Sequence, residues 1–465
     1  MAETTRVRVP FGGVGGGAAR VAVKPRNGGG AKGPHHLGLP GGQLPSNGQE
    51  EPSGRPRPFS IPKAVVWEAW KKVRANRGAA GVDGQSISEF EVNLKGNLYK
   101  LWVRLCSGSY IPPAVLEVQI PKPGGEGSRR LGVPTVSDRV AQCAIASILE
   151  PLVEPYFHPD SFGYRPGRSA LDAVGVCRRR CWKTDWLLDL DIHSFFDSID
   201  HELLLRAVRH HCDEPHVLLY VERGLKAPVQ QRNGVLAERD QGSPQGFSIS
   251  PLLANLFLHY ALDAWIAREF PGVRFERYCD DMVIHCVSEN EARMLRSRIA
   301  ERLDACGLQL NREKTRIVYC KDANRKGSYE HEQFTFLGYT FRPRTAKNRY
   351  GVLFVTFTPA ISLTAIKAIG HTIRRWRLHR RTGTTLEDLA EEINPLVRGW
   401  AIYYGRFYPT KVALLLRRIN EYLVRWLRCK YKRLRGRPRR ARELLAKIAK
   451  REPGLFAHWT AGALP

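Results

Sequence analysis

The sequence predicts an α+β chain, in which a mixed sheet packed with helices is followed by an all-helical unit. Three observations carry this. Short apolar runs with period-two alternation, AVLEVQIPKPGG with RRLGVPT and later FERYCDDMVIHCV, predict hairpins within residues 110 to 345. Helix-spaced apolar residues fall between them, at Val140, Ala144, Ile148 and Leu152 and again at Ala292, Leu295, Ile299 and Leu303. Beyond about residue 358 the strand signals stop. Ile361–Arg380, Leu386–Phe407 and Val412–Leu434 all read as helices, apolar on one side and basic on the other.

In chain order, residues 1–58 (GGVGGG, NGGG, PRPRP) lack apolar periodicity and predict a disordered basic arm. Order is expected from Phe59, with Val66, Trp70 and Val73 at helical spacing, then a loop GAAGVDG and a second helix near Ile87–Leu101. WLLDLDI predicts a short strand. SPLLANLFLHYALDAWI predicts a buried helix with Pro251 just inside its start. Glu291–Cys306 predicts an amphipathic helix, and FTFLGYTF a strand. The expected units are 1–58, 59–165, 166–345, 355–430 and a basic tail at 431–465. Within that last boundary region, Arg428–Arg442 holds nine Lys or Arg in fifteen residues. Such a run is usually a solvated face; beside a unit that handles nucleic acid it predicts contact with phosphates.

Charge narrows the partners. The 465 residues carry 73 Lys+Arg against 45 Asp+Glu, a formal net charge of +28. A surface of that sign attracts polyanions, nucleic acid first and an acidic membrane second. No membrane span is expected, because the apolar stretch Pro251–Ala267 is broken by Asn255, His259 and Asp263. There is no compact apolar leader near the start, and ten cysteines are too few for a disulfide scaffold, so a reduced bacterial cytosol is expected. No cysteine pair has zinc-finger spacing. Cys177 and Cys181 lie four apart with no second half, which predicts buried, inert thiols.

The chemistry concentrates in two acidic places. In WLLDLDIHSFFDSIDH a strand ends at Asp191; in RYCDDMVIHC, Asp280 and Asp281 sit at a hairpin tip. An Asp-Asp turn alone is usually turn chemistry. Two such places, each at the end of an apolar strand, let one sheet bring the carboxylates together. Phosphoryl transfer to a 3′-hydroxyl needs that cluster, since two hard cations stabilise the attacking and leaving oxygens, and Mg²⁺ prefers carboxylate and phosphate oxygens.

Tyr278-Cys279-Asp280-Asp281 resembles the Tyr-x-Asp-Asp box of reverse transcriptases, and the segments around it follow that family's order. RANRGAAGVDGQSI resembles the N-terminal block of group II intron reverse transcriptases. IPKPGGEGSRRLGVPTVSDRVAQ and DSFGYRPGRSALDAV resemble the fingers; LDLDIHSFFDSIDH, QGSPQGFSISPLLANLFLHYALD, LQLNREKTRIVYC and FTFLGYTF resemble the palm. NPLVRGWAIYYGRF resembles the maturase, or X, domain that serves as thumb, and LFAHW its ending. The resemblance covers about residues 60 to 460.

It implies a right-hand polymerase fold: fingers and palm, an all-α thumb/maturase domain and a basic tail. It implies that Asp191, Asp280 and Asp281 hold two Mg²⁺ ions, and that Phe196 is the steric gate selecting dNTPs. Lys122 and Arg129 would clamp the triphosphate, Gln245 and Tyr278 would line the nucleotide site, and Lys314 would serve as general acid. The bland alternatives are a core ring for Phe196 and a salt bridge to Glu313 for Lys314. Arg374, Arg375, Arg377, Arg398, Lys430, Lys432, Arg433 and Arg435 are the basic residues expected to touch nucleic acid, with Trp376, Trp400, Tyr403 and Tyr404 as candidate stacking partners or thumb core. Implied partners are group II intron RNA, target DNA with its primer, and dNTPs, in a ribonucleoprotein at the nucleoid. The alternatives are an RNA-binding splicing factor with little polymerase activity, or a reverse transcriptase domesticated for host defence.

The sequence departs from the family pattern in places. Phe247 and Ser248 replace a glycine and its neighbour after Pro-Gln-Gly, and a ring there is expected to narrow the pocket or alter fidelity. Arg130 stands where proline is usual, and Cys279 where alanine is commoner. No cysteine follows Cys429, so the zinc-containing endonuclease of many relatives is expected to be absent, and with it second-strand cleavage.

Overall fold

The computed structural model describes residues 58–121 and 128–465. The predicted arm therefore lies almost wholly outside the described residues, as does Lys122.

The first helix, Lys63–Asn76, buries Val66, Ala69, Trp70 and Val73. The predicted second helix is two: Ile87–Val92, held by a Ser86–Glu89 capping box, then Leu94–Cys106, with the break at Asn93. The strand Val115–Pro121 pairs antiparallel with Ser128–Val133 and parallel with Val229–Gln230, making the fingers sheet.

The palm sheet runs in the order Arg316–Tyr319, Trp186–Leu190, Asp281–Cys286, Arg274–Tyr278, all antiparallel. Its central strand shows why alternation matters. Leu188 and Leu190 point into the large core beneath the sheet, built on the helices Val136–Val153, Ser250–Leu258 and Glu289–Asp304. Leu187 points the other way, into a second core with Val283, Val318 and the helix Ala170–Cys181. With both faces covered, the strand can be apolar at nearly every position. The buried helix after Pro251 continues through a π-turn, His259–Asp263, into Ala264–Glu269.

FTFLGYTF departs from expectation. It is a hairpin, Phe334–Phe336 against the long strand Tyr339–Lys347, because Leu337 and Gly338 both take positive φ. Tyr339–Lys347 then pairs along its whole length with Leu353–Ile361. The strands thus outlast the expected end of the palm, and the helical unit begins at Leu363 rather than near 355.

In the thumb, Leu363–Arg375, Leu386–Gly405 and Pro409–Lys430 pack around Ile373, Leu389, Ile393, Leu416, Ile419 and Leu423. The expected tail is part of this core. Helix Pro438–Arg451 contributes Ala441 and Leu445, and the ending contributes Phe456 and Trp459. Two buried asparagines hold that ending: Asn420 accepts from His458 Nε2 (2.7 Å) and Trp459 Nε1 (2.9 Å), and Asn394 accepts from the Ala457 amide (2.8 Å). No helix among the described residues is long and apolar enough to cross a membrane.

Candidate active site

Register sets the carboxylates. Leu190 pairs with Met282 and Tyr278 with Asp281, so the next step along the ladder lays Asp191 beside Asp281. Directly opposed residues of an antiparallel pair are about 5 Å apart at Cα and share one face. Asp280 occupies the two-residue turn between the strands, with Cys279 at φ 60°.

The turn is braced from behind. Arg277 is buried and gives Nε to Asp263 (2.7 Å), Nη1 to Asn255 (2.9 Å) and to the Cys279 carbonyl (3.0 Å), and Nη2 to Ser161 (2.9 Å). Asn255 donates to the Gly163 carbonyl at 2.6 Å. Gly163 lies so close that a Cβ there would sit 2.5 Å from the Cys279 amide nitrogen. A buried ion pair with all its donors satisfied is costly to break, by about 3–5 kcal/mol when one partner is lost, so this turn is rigid.

The electrostatics suit a cation. Burial and then the Asp191 charge push the Asp280 carboxyl up. Asp281 is pushed well above the usual range by burial and by Asp189 and Asp280. Asp189, on the same face as Asp191, is raised to about 7 by burial and by Asp191. Sequence reading missed Asp189, although its parity with Asp191 in LDLD was the available signal. Crowded carboxylates of this kind are relieved by a metal ion, so the donor set fits Mg²⁺. Lys314 lies nearby, its Nζ 3.4 Å from Asp191 Oδ1, while its bland partner Glu313 makes no such pair with it.

Phe196 is half-buried, edge-on to Phe195 at 5.2 Å. Its backbone is fixed by QGSPQG, since the Ser243 amide donates to the Phe196 carbonyl at 2.7 Å. Gly242, at φ 81°, approaches so closely that a Cβ would meet that carbonyl oxygen at 2.9 Å. Gln245 lies against the fingers, its carbonyl accepting from the Gly132 amide at 2.8 Å. On the fingers strand the Arg129 charge reaches Asp280 and opposes, in small part, the rise of its carboxyl, whereas Arg130 is exposed and 4.0 Å from Asp197. The Phe247 ring is buried with Val115 and Ala227, under the Arg239 guanidinium.

On the thumb, Arg374, Arg375, Arg377, Arg398, Lys432, Arg433 and Arg435 are exposed. Lys430 differs, since its ammonium donates to the Thr384 carbonyl and lies 4.8 Å from the Trp426 ring centroid. The thumb aromatics are half-buried against the core. Trp376 stacks on Trp400 at 5.6 Å, and Tyr403 and Tyr404 pack on Tyr339 of the palm. Tyr278 packs in the same region, tilted against Tyr164 at 5.7 Å.

Comparison with known families matches this layout in succession. Residues 120–341 match "Reverse transcriptase (RNA-dependent DNA polymerase)", and residues 366–445 match "Group II intron, maturase-specific domain". The chain thus carries a reverse transcriptase domain followed by a group II intron maturase-specific domain. This reverse transcriptase is 29% identical over 332 residues to Protein YkfC of Escherichia coli, covering 63% of the chain and 83% of that relative. It is 31% identical over 197 residues to the group II intron-encoded protein LtrA of Lactococcus lactis, covering 42% of the chain but only 32% of LtrA. A telomerase structure from Candida albicans shares 13% identity at TM-score 0.40, covering 81% of the chain and 68% of that structure, too loose a likeness to build on.

Proposed function

We propose that this chain is the RNA-directed DNA polymerase of a group II intron: it binds intron RNA, assists its splicing and copies it into DNA from a primer end at a target site. The observation that carries this is the register that lays Asp191 beside Asp281, with Asp280 at a braced turn. Asp191 and Asp280 would hold two Mg²⁺ ions, with Asp281 less direct; when bound, such ions stabilise the attacking and leaving oxygens of the phosphoryl transfer. The chain's own residues do the rest. Arg129 orients the triphosphate by a two-pronged contact. The Phe196 ring takes up the space a ribose 2′-hydroxyl would need. Lys314 is close enough to the carboxylates to deliver a proton to departing pyrophosphate. The exposed thumb arginines hold RNA backbone, whose phosphates reward positive charge.

Primer extension on an RNA template with Mg²⁺ and dNTPs, comparing wild type with Asp280→Ala, tests the polymerase. Extension that falls at least about 1,000-fold in the variant is expected. A folded, RNA-binding wild type that extends nothing would replace this reading with a splicing factor.

A further inference from the structure

On the face of the palm sheet that packs against the helix Ala170–Cys181, a cluster of side chains has no part in the polymerase chemistry. Cys177 and Cys181, one helical turn apart, hold their sulfurs 3.9 Å from each other. His285, on the strand Asp281–Cys286, adds a ring nitrogen such that this atom and both sulfurs all lie within 4.8 Å of one another. Cys320, just past the strand Arg316–Tyr319, is buried in the same core as Cys181, outside that three-atom group. All four side chains are buried. The sequence could show only the i, i+4 pair. The sheet supplies the other two.

The spacing is informative. A disulfide would need about 2.05 Å between sulfurs, whereas two thiolates on a tetrahedral zinc-class ion at about 2.3 Å stand about 3.8 Å apart. The imidazole adds an independent sign. His285 Nε2 is 2.7 Å from Glu276 Oε2, and that buried carboxylate also takes Arg180 Nη1 at 2.6 Å, so Nε2 carries the proton. Nδ1 faces Thr184 Oγ1 at 3.2 Å, but that hydroxyl has one hydrogen, and it can go to the Arg180 carbonyl at 3.1 Å. Nδ1 therefore competes with that carbonyl for a single hydroxyl hydrogen, and a cation can take its lone pair in exchange for that one contact. A histidine anchored to a carboxylate through one nitrogen is oriented to offer the other to a metal.

We propose that Cys177, Cys181, Cys320 and His285 bind one soft divalent cation of the zinc class, as a closed structural clip between the helix Ala170–Cys181 and two strands of the catalytic sheet. Binding exchanges three thiol protons, released to solvent, for the ion, leaving a net charge of −1. Arg325 stands next to that charge, donating to the Cys181 carbonyl at 3.0 Å. The site is separate from the Mg²⁺ carboxylates in both position and donor type, and does not depend on the polymerase reading.

Elemental analysis of the full chain, expressed with zinc and purified without chelator, is expected to give about one zinc per chain. Cys177→Ser/Cys181→Ser is expected to lose at least nine-tenths of it, while Asp280→Ala retains it. Cobalt in its place should give thiolate-to-metal absorption and the intense visible bands of a tetrahedral ion. If the double variant does not fold, wild type decides: an organomercurial titrating its thiols should release the metal in step with about three of them. Wild type that takes up neither zinc nor cobalt overturns the proposal. So does metal that survives in a folded double variant, or release unrelated to thiol modification.

Discussion

Asp138 shows how one buried carboxyl sets a pH dependence far from the catalytic centre. It accepts from Tyr110 Oη (3.0 Å) and Gln142 Nε2 (2.8 Å), and burial raises it to about 6. The folded state therefore holds its proton more tightly than the unfolded chain, where it leaves near 4. Its contribution to stability is present below that unfolded value and is lost as pH rises through about 6. Thermal midpoints from pH 4 to 8 should fall with this component in wild type, and Asp138→Asn should flatten it. An unchanged slope would count against the assignment. Phe196 carries a second prediction. Phe196→Val should raise rNTP incorporation relative to dNTP by at least about tenfold in competition assays, since one lost ring opens the space of a hydroxyl. At this scale the sequence was most legible where chemistry dictates residue type, as at Asp191, Asp280 and Asp281. It was least legible at Phe247, whose ring turns away into Val115 and Ala227, a direction no linear pattern encodes.

Among the elements, the short hairpin around Leu337 joins thumb to palm. The Leu337 amide supports the Asp281 carboxylate, and the Leu337 carbonyl accepts from Tyr403 Oη at 2.8 Å. Tyr339 Oη returns a bond to the Tyr403 carbonyl. One residue thus connects a thumb side chain to an active-site carboxylate. Tyr403→Phe should lower kcat by about three- to tenfold, the worth of one hydrogen bond of about 0.5–1.5 kcal/mol, with little change in KM for dNTP. A KM effect alone would show that Tyr403 acts elsewhere. This hairpin also explains why FTFLGYTF misled as a single strand. Its alternation continues through Leu337 and Gly338, and only the positive φ at both reverses the chain. The helix break at Asn93 was hidden in the same way, because apolar spacing resumes on the far side. The catalytic hairpin could be read in advance because its turn residues and its chemistry coincide.

Over the whole molecule, the positive charge is divided between a surface and an interior use. Arg374, Arg375, Arg377 and Arg398 are exposed, while Arg277 and Arg344 are spent inside the protein. If the exposed four each meet an RNA phosphate, replacing them together with Gln should reduce the slope of log K against log salt by about 0.7 per contact for single-stranded RNA. Filter binding across a salt series measures this, and an unchanged slope would move the RNA to another face. The thumb's outer limit was the least predictable feature at this scale. Composition marks 431–465 as a basic tail, but Leu434, Ala441, Leu445, Phe456 and Trp459 are spaced to fill the thumb core once Asn394 and Asn420 receive them.

The two cores on either side of the palm strand Trp186–Leu190 also constrain how this gene can change over generations. A one-residue insertion or deletion there would exchange the side chains owed to each core. A two-residue change would restore parity but carry Asp191 about 6.6 Å along the ladder, away from Asp281. Substitutions within the strand can drift, but its length is closed to heritable change, so among descendants of this chain the distance in sequence from Trp186 to Asp191 should outlast the identity of the leucines between them.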